Sequence, residues 1–206
     1  MYQYENALWA KNLQYVAGCD EVGRGPLAGP LVCAAVILNP KQPIEGLYDS
    51  KALSEKKRVQ LYDHICEKAL AYHIHFTDET TVDKKNVYRA SREGMIAALQ
   101  ALQHPVDYVL SDAMPLHGLN IPYQSIIKGD QLSATIAAAS ILAKVARDRH
   151  MIDLAKTYPD YGFEKHKGYP TKAHLEAIKK HGVTDVHRKS FKPVKKALEV
   201  QMTLDV

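Results

Sequence analysis

The sequence predicts an α/β fold, a mixed sheet flanked by helices with a small helical part at the C-terminal end. Three observations carry this. Two short apolar runs near the start, 15–20 and 31–38, are bounded by Gly or Pro and read as a strand pair. Later strand-like runs alternate with stretches of helical spacing, which argues for a mixed sheet covered by helices and against a β-sandwich. An irregular, aromatic-rich segment at 158–169 then leads into a basic, helical end. The expected organisation is a catalytic-type core over 1–157 and a C-terminal segment with helices, packed on that core, over 158–206.

Taken in order, Tyr15–Asp20 and Leu31–Leu38 are the first strands, and the turn between them is rich in Gly and Pro. Asp49-Ser-Lys-Ala-Leu-Ser54 leads into a helix, with Ser54 as the N-cap and good helix formers from Lys57 to Lys68. Residues 72–76 alternate toward a strand. Tyr88 to Leu102 carries helical spacing at Met95, Leu99 and Leu102. Asp107–Asp112 is a short strand ending in a carboxylate, and Tyr123–Ile127 is another. Leu132–Lys156 is the longest helix expected, with an apolar stripe at Leu132, Ile136, Ala139 and Ala143. Thr171–His181 is a helix with a Thr cap after Pro170 and Gly182 past its end.

The chain has 206 residues, 46% hydrophobic and 24% charged, the composition of an ordinary globular protein. No apolar run approaches the roughly 20 residues of a membrane span, and Met1-Tyr-Gln-Tyr-Glu-Asn lacks the pattern of a signal peptide. The three cysteines, Cys19, Cys33 and Cys66, are odd in number and far apart, which excludes a disulfide framework or zinc ribbon as the organising device. A reducing cytoplasm is the expected compartment. The net charge is +4, yet residues 165–200 carry ten Lys/Arg against three Asp/Glu, so this stretch alone is +7. Such asymmetry points to a polyanion as partner.

Four carboxylates fall at element ends. Asp20 and Glu21 close the first strand, Asp112 closes another, and Asp130 follows Lys128-Gly129 before the long helix. Such ends converge on one edge of an α/β sheet. Adjacent strand residues point to opposite faces, so Asp20 and Glu21 share a site only if the strand stops there. Clustered carboxylates with no Cys or His beside them favour Mg²⁺ or Mn²⁺ over zinc, and two such ions can activate a water against a phosphodiester. A second constellation, Tyr158 to Tyr169, interleaves Tyr158, Tyr161, Phe163 and Tyr169 with Lys165, His166 and Lys167, a pattern suited to stacking and phosphate contact. Of these rings, Tyr158 and Phe163 are expected in the core and Tyr169 at the surface. His73 and His75 share a strand face but have no further ligand beside them, and Cys19 reads as a buried strand cysteine.

Together these residues resemble the ribonuclease HII family, the type 2 ribonucleases H, from about Tyr15 to about Leu198. The resemblance lies in Asp20-Glu-Val-Gly-Arg-Gly-Pro-Leu-Ala-Gly29, Asp49-Ser-Lys-Ala-Leu-Ser54, Lys128-Gly-Asp130 with Ala137-Ala-Ala-Ser-Ile-Leu-Ala-Lys144, the block from Tyr161 to Thr171, and His187-Arg-Lys-Ser-Phe191. It implies a ribonuclease H-like sheet and cleavage of RNA in RNA–DNA duplexes, single embedded ribonucleotides included, leaving 3′-hydroxyl and 5′-phosphate ends. It implies Mg²⁺ or Mn²⁺ on Asp20, Glu21, Asp112 and Asp130. Gly23, Arg24 and Gly25 would contact the ribonucleotide, Lys51 would join the substrate contacts, and Tyr169 would pack on the sugar at the junction. The 2′-hydroxyl is the group such a reader must use. The tail Gln201-Met-Thr-Leu204 loosely resembles a sliding-clamp-binding peptide, and the family resemblance implies a monomer. In one place the chain departs from the family: Ala113-Met114 follows Asp112 where Gly-Asn is usual. The acid is kept, so metal binding should survive, while the loop after it should differ in shape.

Overall fold

The computed structural model describes residues 1–204, with backbone alone for Met202 to Leu204. The side chains of the clamp-peptide resemblance beyond Gln201 therefore lie outside the described residues. Five strands form one sheet: β1 (Val16–Val22), β2 (Leu31–Ile37), β3 (Ala71–Thr77), β4 (Tyr108–Asp112) and β5 (Tyr123–Ile126), in the order β3-β2-β1-β4-β5. β1 and β2 are antiparallel, with Ala17 opposite Ile37 and Val22 opposite Val32. β4 lies parallel to β1, and β5 parallel to β4. The sheet is mixed and flanked by helices, as the sequence predicts. Every residue of β2 is buried, so it reads as a continuous apolar run and not an alternating one.

The helices are α1 (Gln3–Trp9), α2 (Glu55–Lys68), α3 (Glu79–Lys85), α4 (Val87–Gln100), α5 (Gly129–Leu132), α6 (Ala134–Thr157), α7 (Phe163–His166), α8 (Lys172–His181) and α9 (Lys192–Leu204). The two expected caps are formed: Ser54 accepts from the Lys57 amide, and Thr171 from the His174 amide. The expected helix from Leu132 is instead broken at Ser133, whose backbone is extended. The cause lies far away in sequence. The buried Glu5 side chain offers Oε1 to the Thr135 amide at 2.9 Å and to the hydroxyls of Ser133 and Thr135 at 2.5 and 2.8 Å. A carboxylate from α1 thus caps α6 and complements its dipole. The start of α6 also lies against β1 at Gly18, where an added Cβ would stand 2.2 Å from the Thr135 carbonyl carbon. Only glycine permits that approach.

The chain divides into two compact units. The first comprises Met1–Val22, Val32–Phe76 and Ser91–Ala146 and contains the body of the sheet. Its main core packs Val32, Val36, Leu61 and Ile65 with the alanine-rich face of α6 at Ala134, Ala138 and Ile141. The second unit comprises Gly23–Leu31, Thr77–Ala90 and the chain from Arg147 on. Its core gathers Leu27, Ala28, Met151, Tyr161, Phe163, Ile178 and Val194.

Candidate active site

The first unit brings acids together where the β1–β4 ladder ends. That ladder stops at Cys19 opposite Ser111. The next residues in register are Asp20 and Asp112, so a carboxylate stands on each strand where pairing gives out. The strand itself does not stop at Asp20, as the shared site was expected to require. β1 runs on to Val22 because β2 continues to pair with it. The pleat then turns Asp20 and Glu21 to opposite faces, yet Glu21 remains close enough for its charge to act on Asp20.

Asp20 is only 5% exposed and accepts the Glu21 amide at 2.7 Å. Burial, then the charges of Glu21 and Asp112, push its carboxyl well above the usual range, against hydrogen bonds from Ser140 and the Glu21 amide. Asp112 accepts the Gly129 amide at 2.7 Å. Burial raises its pKa, while the Gly129 amide and Lys51 oppose the rise. Asp130, in α5 and 6% exposed, is raised by burial and by the charges of Asp112 and Asp49, with Lys51 opposing. A Cβ on Gly129 would stand 3.3 Å from Asp112 Oδ1, so glycine suits the close approach of that carboxylate to the amide.

Asp49, which sequence reasoning placed only in the lead-in to a helix, is a fifth acid of this field. It accepts the Lys51 amide at 2.8 Å and the Gln131 side chain at 3.2 Å, and its charge acts on Asp112 and Asp130. The signal that could have found it is its place in the Asp-Ser-Lys block beside Lys51. Ser140 was also missed; it hydrogen-bonds Asp20 and shares a 3.0 Å contact with Ser50.

Carboxylates crowded at one sheet end, with their pKa values raised by burial and by neighbouring acids, are short of positive charge, and their donors are all oxygen, so the set fits a hard divalent cation. Among the described residues no three His, Cys, Asp or Glu side chains form a ready-made cage. Mg²⁺ sites of this kind use one or two carboxylates and leave the remaining positions to water and substrate phosphate. His73 and His75 lie two apart on β3, and no third ligand joins them among the described residues. The Cys19 and Cys33 thiols are pushed well up, by burial first and then by the nearby acids. They are inert strand residues and not nucleophiles.

The second unit brings together Gly23-Arg24-Gly25 and Tyr169. An added Cβ on Gly25 would stand 3.7 Å from Tyr169 Cε1. The Leu27 amide bonds the Gly168 carbonyl at 2.8 Å, and a Cβ on Gly168 would strike the Ala28 carbonyl oxygen at 2.3 Å, so two loops lie closely side by side. Tyr169 is 38% exposed, whereas Phe163 and Tyr161 are buried; the Tyr161 hydroxyl donates to the carbonyls of His181 and Gly182. Of the rings expected in the core, Phe163 is buried there and Tyr158 is half-buried against it, Tyr161 joins the core side, and Tyr169 is at the surface as expected.

The model of the family described as ribonuclease HII matches residues 17–194. Ribonuclease HII of Halalkalibacterium halodurans is 51% identical over 203 residues, which is 98% of this chain and 77% of that protein. Ribonuclease HII of Bacillus cytotoxicus is 53% identical over 195 residues, 95% of this chain and 75% of that protein. Among solved structures, ribonuclease H2 from Pyrococcus horikoshii superposes with a TM-score of 0.77 at 26% identity, covering 90% of this chain and 97% of that one. The ribonuclease HII of a PCNA complex from Archaeoglobus fulgidus gives 0.70 at 25% identity, covering 86% and 95%. Ribonuclease HIII labelled Bst, in complex with Mn²⁺, gives 0.65 at 19% identity over 94% of this chain and 73% of that one, a likeness of fold.

Proposed function

Because the chain belongs to the ribonuclease HII family, endonucleases that degrade the RNA of RNA–DNA hybrids, we propose that it also cuts DNA duplexes at single embedded ribonucleotides. In this reading Asp20, Asp112 and Asp130 hold Mg²⁺ or Mn²⁺, and Glu21, although the pleat of β1 sets it on the other face, joins them through the proximity that lets its charge act on Asp20. When bound, such ions activate a water and stabilise the leaving oxygen, giving 3′-hydroxyl and 5′-phosphate ends. The chain supplies the rest. Ser140 and the Glu21 amide orient Asp20, the Gly129 amide orients Asp112, and Lys51 offers a cation for a substrate phosphate at the same end of the sheet. Gly23 and Gly25 leave the backbone of the Gly23-Arg24-Gly25 turn open to the ribonucleotide 2′-hydroxyl, Arg24 adds a cation, and Tyr169 packs on the sugar beside it.

The observation that carries this reading is the pair Asp20 and Asp112 at the end of the β1–β4 ladder, the first buried and raised by burial, Glu21 and Asp112, the second half-buried and raised by burial and Asp49. The test is a labelled DNA duplex with one ribonucleotide, incubated with Mg²⁺, with Mn²⁺ and with chelator. Metal-dependent cutting on the 5′ side of the ribonucleotide is expected. Cutting of a long RNA–DNA hybrid alone would refute the single-ribonucleotide activity.

The proposal extends to partners and place. It puts a monomer in the cytoplasm, serving ribonucleotide excision during DNA replication and repair, with a sliding clamp as partner through the tail at Gln201–Leu204. The Archaeoglobus relative in its complex with PCNA supports the clamp. Among the described residues no helix is long and apolar enough to cross a membrane. Loss of clamp binding on deleting residues 201–206 is the expected result, and undiminished binding would refute the tail's role.

A further inference from the structure

Two arginines in the second unit are fully buried: Arg147 of α6 and Arg188, between α8 and α9. Burying a guanidinium costs several kcal/mol unless its donors are met, so what these two hold matters. Arg147 donates from Nε to the Pro30 carbonyl at 2.9 Å, from Nη2 to Ala28 at 3.2 Å, and from Nη1 to Lys167 at 2.9 Å. Arg188 donates from Nε and Nη2 to the Gly29 carbonyl at 3.1 and 2.8 Å, and from Nη1 to Arg24 at 3.2 Å. All six bonds end on backbone carbonyls, five of them in the loop that begins Gly23-Arg24-Gly25. The sixth is on Lys167, two residues before Tyr169. The Arg147 guanidinium carbon also stands 5.9 Å from the Tyr169 ring centroid.

The glycines of the loop fit the same picture. Gly23 has a φ of +101°, and a Cβ there would lie 2.5 Å from Arg147 Nε. The loop backbone therefore rests directly on the guanidinium. Burial pushes both arginine pKa values down, and Arg188, at about 10, stays charged at neutral pH.

We propose that Arg147, backed by Arg188, is a positioning residue for substrate discrimination: one planar fork fixes the Gly23–Pro30 loop against Tyr169, so that the two halves of the ribonucleotide reader keep one spacing. This rests on the reading of Gly23-Arg24-Gly25 and Tyr169 as the ribonucleotide contact. Lysine cannot replace the fork, because it presents a point charge on a flexible stem and cannot meet three carbonyls in one plane. Its hydrogen bonds all lie within the second unit, on the loop and on Lys167, so its loss should fall on discrimination before chemistry.

The experiment compares wild type, Arg147→Lys and Arg188→Lys on two substrates, a duplex with one ribonucleotide and a long RNA–DNA hybrid, with kcat and KM separated. Binding to a non-cleavable duplex carrying one 2′-methoxy nucleotide is measured in chelator, and melting is measured for each protein. A displacement of about 1 Å in a contact loop costs as much as 10²-fold. The kcat/KM of Arg147→Lys on the single ribonucleotide is accordingly expected to fall about tenfold to 10²-fold further than on the hybrid, with weaker binding of the methoxy duplex. Arg188→Lys is expected to shift the ratio in the same direction and decides the matter if Arg147→Lys does not fold. An unchanged ratio, or equal losses on both substrates that track melting, overturns the proposal. A wild type that does not cut the single ribonucleotide overturns it together with the reading beneath it.

Discussion

Replacing Asp20 by Asn should abolish cleavage and yet make the metal-free protein more stable. Asp20 and Asp112 face each other across neighbouring strands, which are about 4.8 Å apart. Two unit charges at about 5 Å and an effective dielectric constant of about 20 repel by about 3 kcal/mol. Asparagine removes that repulsion and the still larger push from Glu21. It keeps one acceptor for the Glu21 amide but loses the charge-assisted part of the Ser140 bond, about 1 kcal/mol. The net gain is at least about 2 kcal/mol, or at least about 4–8 °C in melting temperature for a chain of this size. The sign can be checked against pH. Asp20 has its folded pKa raised above the unfolded one, so its ionisation opposes folding at neutral pH and ceases to do so as pH falls toward the unfolded carboxylate range. In chelator at pH 7.5 Asp20→Asn should therefore melt higher than wild type, with the difference shrinking toward pH 4. Added Mn²⁺ should stabilise wild type more than the variant. A variant that melts lower than wild type at pH 7.5 in chelator would refute the argument that the acids are crowded without a counter-ion.

Three further outcomes are expected. Tyr169→Ala should leave melting nearly unchanged, since the ring is 38% exposed, while weakening cleavage at a single ribonucleotide; unaltered junction cleavage removes Tyr169 from the reader. Acid should act on the two units with opposite sign. Burial holds the His174 and His187 imidazoles down to about 4, so the stability they confer is complete above about 6.5 and is lost as pH falls toward 4. The raised Asp20, Asp112 and Asp130 instead gain on protonation. Hydrogen exchange in chelator, corrected for intrinsic rates, should show α8 losing protection over that range while β1 and β4 gain it. A parallel loss in both would contradict the assignment. Finally, Ala113 holds a φ of +50°, a conformation that costs an L-residue about 1–2 kcal/mol. Ala113→Gly should relieve that strain, less glycine's own entropic cost of about 0.5–1 kcal/mol. A melting temperature raised by a few degrees at most is expected, and a lowered one would show that Ala113 is not strained.

That left-handed Ala113 is where the sequence departs from the family pattern of Gly-Asn, and it shows what the chain makes legible. The departure could be seen in the sequence; its consequence, a strained residue one step from a site carboxylate, could not. The strands were legible because β2 is buried throughout and β1 is apolar up to Asp20, so both appear as short apolar runs. The Ser54 and Thr171 caps were legible because they act within three residues. The break before α6 was not, because Glu5 makes it from about 130 residues away. α3, short and polar with Val82 as its buried residue, offers no apolar stripe to read. The acids could be listed from their places at element ends, but Asp49 joins them through tertiary charge proximity that no spacing rule contains. The joining of Gly23–Leu31 and Thr77–Ala90 to the C-terminal unit likewise depends on long-range bonds such as Arg188 to Gly29.

The most direct test of the account uses a duplex with one ribonucleotide and four variants, Asp20→Asn, Glu21→Gln, Asp112→Asn and Asp130→Asn, each assayed in Mg²⁺, in Mn²⁺ and in chelator, with melting as the control for folding. Wild type is expected to cut on the 5′ side of the ribonucleotide only with metal present, and the variants to fold, bind the duplex and scarcely cut it. Wild-type cutting that persists in chelator, or a full rate in Asp20→Asn or Asp112→Asn, would contradict the metal-site reading.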